Sequence, residues 1–558
     1  MVSAVNAELV RLASSKHSAL MQMKEHVMEL SRRSFIASSA VIAATAAGVS
    51  TAHAAESSAA DVASAGAAGE RECDVVVVGL GTSGLMAAVG AAKAGAAVIA
   101  VDQAPVLAGT TNCYTHGPFI VGSKLQLQYE NPLTVQEAWT YLQTKSSYGY
   151  NSQALRAILE ATGRAADILI DDAGFTFDNS PFPESTPESE IINRAAHTYG
   201  ENGEARAAKF QTMLDANGVE TIFGAKATGL IMDGGKVAGV TCDVDGGGLS
   251  IRAKAVVLCT GGFLGSADMQ AKYLAGAKVV SKAVQVCDGS GIAMAISAGA
   301  QIGKTFSIVM NEYGGANEKA LPITGSNAFS SPNPGNDMLR AAHWGGLFVD
   351  ANGERFVNEG YLAENPFYSG EPLTRQSVYY AIFDETFMTR LETEPYANFF
   401  HTAKMVKGAG ETVLENAREQ FAEAVEQGWG FTAESVEELA DAIGTPKLAA
   451  TVATYAKACA DGDDDLFYKN AAYLSAVETG PFYAVELQPS AYMTLGGIKC
   501  NGSCQALDAA NVGIDGLFVA GGDADIHTAP YLQNGSANGF ALGSGLLAGE
   551  AAAAVAQA

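Results

Sequence analysis

The residues in this sequence best suited to chemistry are a glycine fingerprint, acids that follow strand-like runs, and tyrosines near glycine-rich segments. The fingerprint is Gly79-Leu80-Gly81-Thr82-Ser83-Gly84, a G-x-G-x-x-G. It follows directly on Cys73–Val78, a β-branched run that reads as a strand buried on both faces of a parallel sheet. After it comes a small-residue helix, Leu85 to Ala94, closed by Gly95. Gly79 supplies the tight turn, Gly81 lets backbone approach a pyrophosphate, and Gly84 permits close helix–sheet packing. The N-terminal amides of the helix, Ser83 among them, favour the negative charge of the pyrophosphate. Asp102 ends the next strand, about 20 residues on, where a carboxylate accepts ribose hydroxyls.

These residues need a sheet to carry them. Val219 to Val244 reads as short strands with glycine turns, and Ala253–Leu258 as a buried strand running into Cys259-Thr260-Gly261-Gly262-Phe263. Near the end, Gly516–Asp523 is again strand, then glycines, then an acid, followed by a Gly/Ala-rich helix from about Gly535 to Ala556. Segments at both ends look cofactor-facing, with much chain between them. The expected fold is therefore α/β: a Rossmann-type FAD-binding domain with an inserted α+β capping domain. The expected boundaries are 1–54 for a signal peptide, 55–71 for a flexible linker, 72–305 and 476–558 for the two parts of the FAD domain, and 306–475 for the cap.

A chain of 558 residues can hold two or three domains. It has 48% hydrophobic and 17% charged residues, an ordinary globular composition. Its formal net charge of −26 argues against nucleic acid and anionic membrane as partners. The eight cysteines include one close pair, Cys500 and Cys504, but no haem-attachment C-x-x-C-H and no second pair to complete a zinc site. They read as mostly buried thiols, and no metal is expected.

The first residues read as an address. Ser31-Arg32-Arg33-Ser34-Phe35-Ile36 is a twin-arginine signature, followed by a modestly apolar stretch to Val49 and an A-x-A cleavage site at Ala52-His53-Ala54. The apolar stretch is too short, and too rich in Ala and Ser, to span a bilayer. Export by the twin-arginine route, to the periplasm or the outer face of the cytoplasmic membrane, is the expectation.

Taken together, the motifs resemble the family of FAD-dependent fumarate reductase flavoproteins and 3-ketosteroid dehydrogenases. The segments that carry the resemblance are Gly79–Gly84, Gly109-Thr110-Thr111, Leu258–Phe263, Asp288–Ile292, Gly353–Glu359, Thr494–Gly497 and Gly516–Asp523. The resemblance implies FAD, held by Gly79, Gly81, Ser83, Gly84, Asp102, Gly109, Thr110, Thr111, Thr260, Gly261, Gly262, Asp288, Gly522, Asp523, Ala537 and Asn538. Within that set Asp523 resembles the acid at the ribityl chain, Ala537 and Asn538 the residues near the isoalloxazine, and Thr110 and Thr111 the residues flanking pyrophosphate and flavin. It further implies hydride transfer between flavin N5 and a carbon next to an activating carbonyl, with a second residue handling the proton.

The sequence departs from that family where substrate is gripped. The position four residues past R-F-V-N-E, an arginine in fumarate reductases and a tyrosine in steroid dehydrogenases, is Ala363. The histidine expected before the T-L-G-G turn is replaced by Tyr492-Met493, and no Arg or Lys occurs after Lys499. Bidentate guanidinium matches carboxylate geometry, so these losses point away from fumarate. They favour a neutral, ring-containing molecule with an activated C=C bond: an enone, or an unsaturated acid or lactone. Tyr531, Tyr483, Tyr361 and Glu364 are the candidate proton handlers, with Tyr368, His116 and His527 nearby in sequence. Arg355 reads as a cap–domain ion pair and the acidic turn Asp461–Asp465 as a solvated loop. Electrons would arrive from an external donor, by resemblance a membrane-attached c-type cytochrome. The alternatives are a 3-ketosteroid-type dehydrogenase, a substrate-free flavin electron shuttle and an oxygen-using oxidase.

Overall fold

The computed structural model describes residues 67–107, 110, 115, 117–178, 194–195, 197–281, 287–304, 306–310, 316–320, 337–360, 371–400, 410–529, 531 and 535–558. The leader, Gly109, Thr111, His116, Tyr361, Glu364 and Tyr368 lie outside the described residues.

The fingerprint strand is the middle of the largest sheet. β1 (Ala67–Val78) pairs in parallel with β2 (Val98–Asp102) on one side and β6 (Gly247–Leu258) on the other. Its valines, Val75 to Val78, are almost fully buried, as a continuous apolar run covered on both faces must be. β3 (Glu220–Phe223) extends the sheet beyond β2, and β14 (Gly513–Val519) lies beyond β6 with β13 (Gln505–Leu507) antiparallel at the edge. A hairpin of β4 (Ala225–Asp233) and β5 (Lys236–Val244) joins through β5 to β6.

Two helices built from small residues cover this sheet. α1 (Thr82–Lys93) and the last helix, α11 (Ser536–Gln557), lie against each other so closely that side chains have no room at the contact. A Cβ on Gly545 would collide with the Ser83 carbonyl oxygen, and one on Gly549 with that of Ala87. This explains the Gly/Ala composition of α11. The helix is apolar and long enough to cross a membrane, but two-thirds of that apolar stretch is buried against the rest of the protein, which marks it as a core helix. α3 (Ser152–Ala173), capped by the Asn151 side chain and ended by left-handed Gly174, flanks α11.

A second sheet of four antiparallel strands forms the core of the inserted part: β8 (Leu347–Val349), β9 (Tyr379–Asp384), β11 (Phe482–Leu487) and β10 (Gly430–Ala433), in that order. It carries α6 (Asp337–Gly345), α7 (Glu385–Thr393), α8 (Ala417–Glu426), α9 (Val436–Ile443) and α10 (Leu448–Asp461). β11 lies beyond the cap boundary expected at 475. Its largely buried residues pair with β9 on one side and β10 on the other, which keeps the chain in the cap until Leu487. A three-stranded sheet then joins β7 (Ser307–Met310) to β12 (Ser490–Leu495), with the short strand Val280–Ser281 at its edge. The two crossings of the chain between nucleotide domain and cap therefore run side by side.

Charge is handled differently inside the cap than the sequence suggests. Arg355 is clamped by two carboxylates, Glu359 at 2.9 Å and Asp464 at 2.9 Å, with side-chain exposures of 3%, 5% and 1%. Its guanidinium lies over both Tyr455 and Phe467, and Lys469 adds a second cation 3.3 Å from Glu359. Both of Arg355's acidic partners are in the insertion, so the ion pair closes the cap on itself rather than onto the FAD domain. Asp464, expected in a solvated loop, is buried because this arginine needs it.

Candidate active site

The cleft at the C-terminal ends of the central strands is lined by Gly79, Gly81, Asp102, Thr110, Lys226, Ala227, Cys259, Thr260, Gly261, Cys287 and Ser290. Gly79 has φ +92°, and a Cβ there would collide with the Cys259 carbonyl oxygen. A Cβ on Gly84 would collide with the carbonyl oxygen of Gly79 itself. Both glycines are thus required by close backbone approach. Gly81 is the N-cap of α1 and has no side-chain cap, which leaves the amides of the first turn for a ligand.

Asp102 stands at this cleft, and its two oxygens already accept backbone N–H groups from Leu80 at 2.6 Å and Ala104 at 2.7 Å. It holds the fingerprint turn in shape as well as facing the cleft. Burial lifts its carboxyl above the usual range, against those two amides. Asp523 is more deeply placed. It accepts from the amides of Thr260 at 2.5 Å and Gly262 at 3.0 Å and from the Thr260 hydroxyl, so it ties the C-terminal segment to the turn after β6. Burial again raises its carboxyl. Asp288 opens α5 (Ser290–Ser297), accepts from the Ser290 amide, and pairs with Lys226 at 2.9 Å. Burial opposes its ionisation, but Lys226 and Ser290 outweigh it and keep the carboxyl below its ordinary value. Thr110 is buried, with its hydroxyl on the Leu107 carbonyl. Gly262 and Gly522 pack against Thr494 and Gly261 respectively. Burial pushes the Cys287 thiol up to about 12 and the Cys259 thiol higher still, so both cysteines at the cleft are thiols, not thiolates.

At the other end of the site, the first turn of α11 meets Tyr531. The Ala537 amide donates to the Tyr531 hydroxyl oxygen at 3.0 Å, and the ring packs with Leu495, Tyr492, Met493 and Ala529. Asn538 donates to the hydroxyls of Thr115 at 3.2 Å and Tyr199 at 3.3 Å, while its Oδ1 is buried without a partner. The Thr494 hydroxyl is also buried and unpartnered. Two orphaned polar atoms beside a glycine cradle are what a bound flavin ring would satisfy.

Tyr483 does not join this group. It lies in the cap core, stacked on Phe383 and donating to Glu385 at 2.7 Å. A strand position facing the cap's aromatic layer cannot also face α11, and the sequence pattern P-F-Y-A held no sign of which side it takes. His527 is nearby but inert in the same sense. It is stacked on Phe540 with both ring nitrogens unpartnered, and burial holds it at about 3. Sequence reasoning missed Tyr199, Arg206, His197 and Tyr150. Arg206 donates to the Thr115 carbonyl and lies over Tyr199. Their only sequence signal is aromatic or charged character inside otherwise ordinary helix and loop segments.

A family model described as FAD binding domain matches residues 74–539. The chain belongs to that family. This FAD-binding-domain protein is an FAD-dependent oxidoreductase, and the glycine cradle, the free amides of α1 and the two orphaned polar atoms fit the cofactor. Among curated relatives, a vinyl phenol reductase of Lactiplantibacillus plantarum is 28% identical over 493 residues, covering 86% of this chain and 96% of that one. A urocanate reductase of Eggerthella lenta is 25% identical, covering 81% and 70%. Among solved structures, the 3-ketosteroid Δ1-dehydrogenase of Sterolibacterium denitrificans superposes with a TM-score of 0.66 at 18% identity, over 87% of this chain and 100% of that one. An open flavocytochrome c3 fumarate reductase gives 0.61 at 21%, over 88% and 79%. At these identities the two structures speak for the fold.

Proposed function

We propose that this protein reduces an activated C=C bond in a neutral, ring-containing molecule, with Tyr531 supplying the proton. The observation that carries the reading is the apolar cluster at the start of α11, made of Tyr531, Tyr492, Met493, Leu495, Ala529 and Ala537. Such a surface favours an aromatic or alicyclic ring and supplies no counter-ion of its own to a dicarboxylate. Arg206, a buried cation linked to Asn538 through Tyr199, is occupied by the Thr115 carbonyl and the Tyr199 ring. The vinyl phenol reductase relative, named for a neutral aromatic alkene, supports the same class.

Bound reduced FAD supplies the hydride. The chain's own residues do the rest. The apolar wall orients the ring and excludes water. Tyr531 donates its proton to the carbon next to the activating group. The Ala537 N–H, at the positive end of α11, stabilises the charge left on the phenol oxygen as that proton departs. An exported location, after twin-arginine transport directed by residues 31–54, and an external electron donor such as a c-type cytochrome complete the proposal. Both rest on the leader motif and on the absence of a haem-attachment motif in the sequence.

Binding tests the substrate class without turnover. Titration of the oxidised holoenzyme with 4-vinylphenol is expected to perturb the flavin absorbance saturably. Fumarate should not perturb it at comparable concentration. The reverse pattern would refute the neutral-ligand reading.

A further inference from the structure

To bind or release FAD, the walls of its cleft must part, and an ion pair joins two of them. One wall is β4. It buries Ala225 and Ala227 in the core and leaves Lys226, between them, largely exposed at the cleft. This is the alternation of a strand with one face inward. The other wall is the start of α5, where Asp288 precedes Gly289 and Ser290, and Ser290 lines the same cleft as Lys226. Lys226 Nζ reaches Asp288 at 2.9 Å. The pair therefore ties β4 to α5 at the cleft that also presents Gly79, Gly81 and Asp102.

The two walls are held differently. Gly289 has φ +80°, and a Cβ there would collide with the Met269 sulfur and crowd Phe263. Asp288 accepts from the Ser290 amide at 3.0 Å, and the next amide, that of Gly291, donates to the Thr260 hydroxyl at 3.1 Å. The Asp288 end of the bridge is thus fastened to the body of the nucleotide domain. β4 is held less firmly. Among the described residues it pairs with β5 alone, and only β5 reaches the main sheet, through β6. The β4–β5 register also shifts twice, between Ala227 and Gly229 and between Leu230 and Met232. An outer strand on an irregular ladder opens more readily than a pinned turn. The side chains of Lys226 and Asp288 are 54% and 25% exposed, so dissolved salt reaches the pair.

We infer that the Lys226–Asp288 pair is a strap across two walls of the FAD cleft, and that Lys226 is a positioning residue that slows loss of the cofactor. Asp288, which the family resemblance places on FAD, is engaged here by Lys226 and Ser290. Lys226 acts through that acid, by keeping β4 against α5, while the fingerprint glycines and Asp102 face the nucleotide. Its methylene stem adds cover over the cleft, with the ammonium left at the surface. Release of FAD requires the pair to separate and β4 to move away. No covalent bond or electron is involved. The inference rests on FAD binding at the fingerprint cleft and is independent of the substrate reading.

Release is read without any substrate. Oxidised holoenzyme is diluted, and the rise of free-FAD fluorescence gives the dissociation rate at low salt, about 20 mM NaCl, and high salt, about 500 mM. Lys226→Met should release FAD about 3- to 5-fold faster than wild type at low salt, the scale of a partly exposed ion pair. High salt should bring wild type up to the rate of the variant. Lys226→Arg should hold FAD as wild type does. Asp288→Asn keeps an acceptor for the Ser290 amide, and adding Lys226→Met to it should accelerate release no further. Lys254→Met breaks a comparably exposed pair with Asp74, 2.9 Å apart and not among the residues lining the cleft, and should leave release unchanged. Release from Lys226→Met at the wild-type rate overturns the strap. Full additivity of the Lys226 and Asp288 changes also overturns it, and would put Lys226 on FAD itself. So does equal acceleration by Lys254→Met, which would reduce the effect to general charge or stability. Where Asp288→Asn retains no FAD, the salt dependence and Lys226→Arg decide: a rate from Lys226→Arg as fast as from Lys226→Met, or a wild-type rate indifferent to salt, rejects the strap.

Discussion

At the residue scale, the acids at the strand ends hold neighbouring turns in place, and the tyrosines divide between α11 and the cap. Asp102 and Asp523 follow β-branched runs and glycines, a pattern whose geometry forces them toward the cleft. What the pattern does not carry is that each spends its oxygens on the backbone amides of a neighbouring turn. Tyrosine carries no such positional signal, so Tyr531 and Tyr483 looked alike until the first proved to meet α11 and the second Glu385. Buried histidines give this scale a test. His527 is held at about 3 and His197 at about 4, both by burial, against about 6.5 in the unfolded chain. A depressed histidine leaves stability intact above its unfolded value and loses it as pH falls toward the folded one. At pH 5 the cost is about 2 kcal/mol for each. His527→Phe should therefore lose about 2 kcal/mol less stability than wild type between pH 7 and pH 5, read from denaturant midpoints. An unchanged pH dependence would mean that His527 is solvated in the folded protein.

At the element scale, the βα fingerprint and the glycine-rich final helix were readable because each residue type answers a steric demand. The packing of α11 on α1 makes that demand quantitative. Gly549→Val would place a methyl-bearing carbon inside the Ala87 carbonyl, and overpacking of this kind costs about 1–3 kcal/mol or more. The expected outcome is a lower melting temperature together with reduced FAD content, since α1 carries the fingerprint turn. The cap was less legible. Its sheet borrows β11 from beyond the insertion's apparent end, and a single strand's sequence does not name the sheet it joins. Its buried ion network was also hidden, because Arg355 and Asp464 are 109 residues apart. Arg355→Met should destabilise the protein by about 3–5 kcal/mol by leaving Asp464 uncompensated and Glu359 with Lys469 alone, while the flavin spectrum of the surviving folded fraction stays unchanged. A large spectral change would place the arginine at the flavin instead.

At the scale of the whole molecule, the order of motifs along the chain made the interrupted nucleotide domain readable, because only a chain that leaves and returns puts cofactor-facing segments at both ends. The proposed substrate class rests mainly on a loss: arginines missing from expected positions. The leader carries a prediction of its own. Replacing Arg32 and Arg33 by lysine should retain the protein in the cytoplasm with FAD bound, read by cell fractionation. Continued export of the double variant would remove the twin-arginine route. The central claim, reduction of a neutral alkene, is tested most directly by one measurement: the rate at which anaerobically reduced enzyme is reoxidised by 4-vinylphenol and cyclic enones compared with fumarate. The account predicts rapid reoxidation by a neutral ring-bearing alkene and none by fumarate. Rapid reoxidation by fumarate, with the neutral compounds inert, would contradict it.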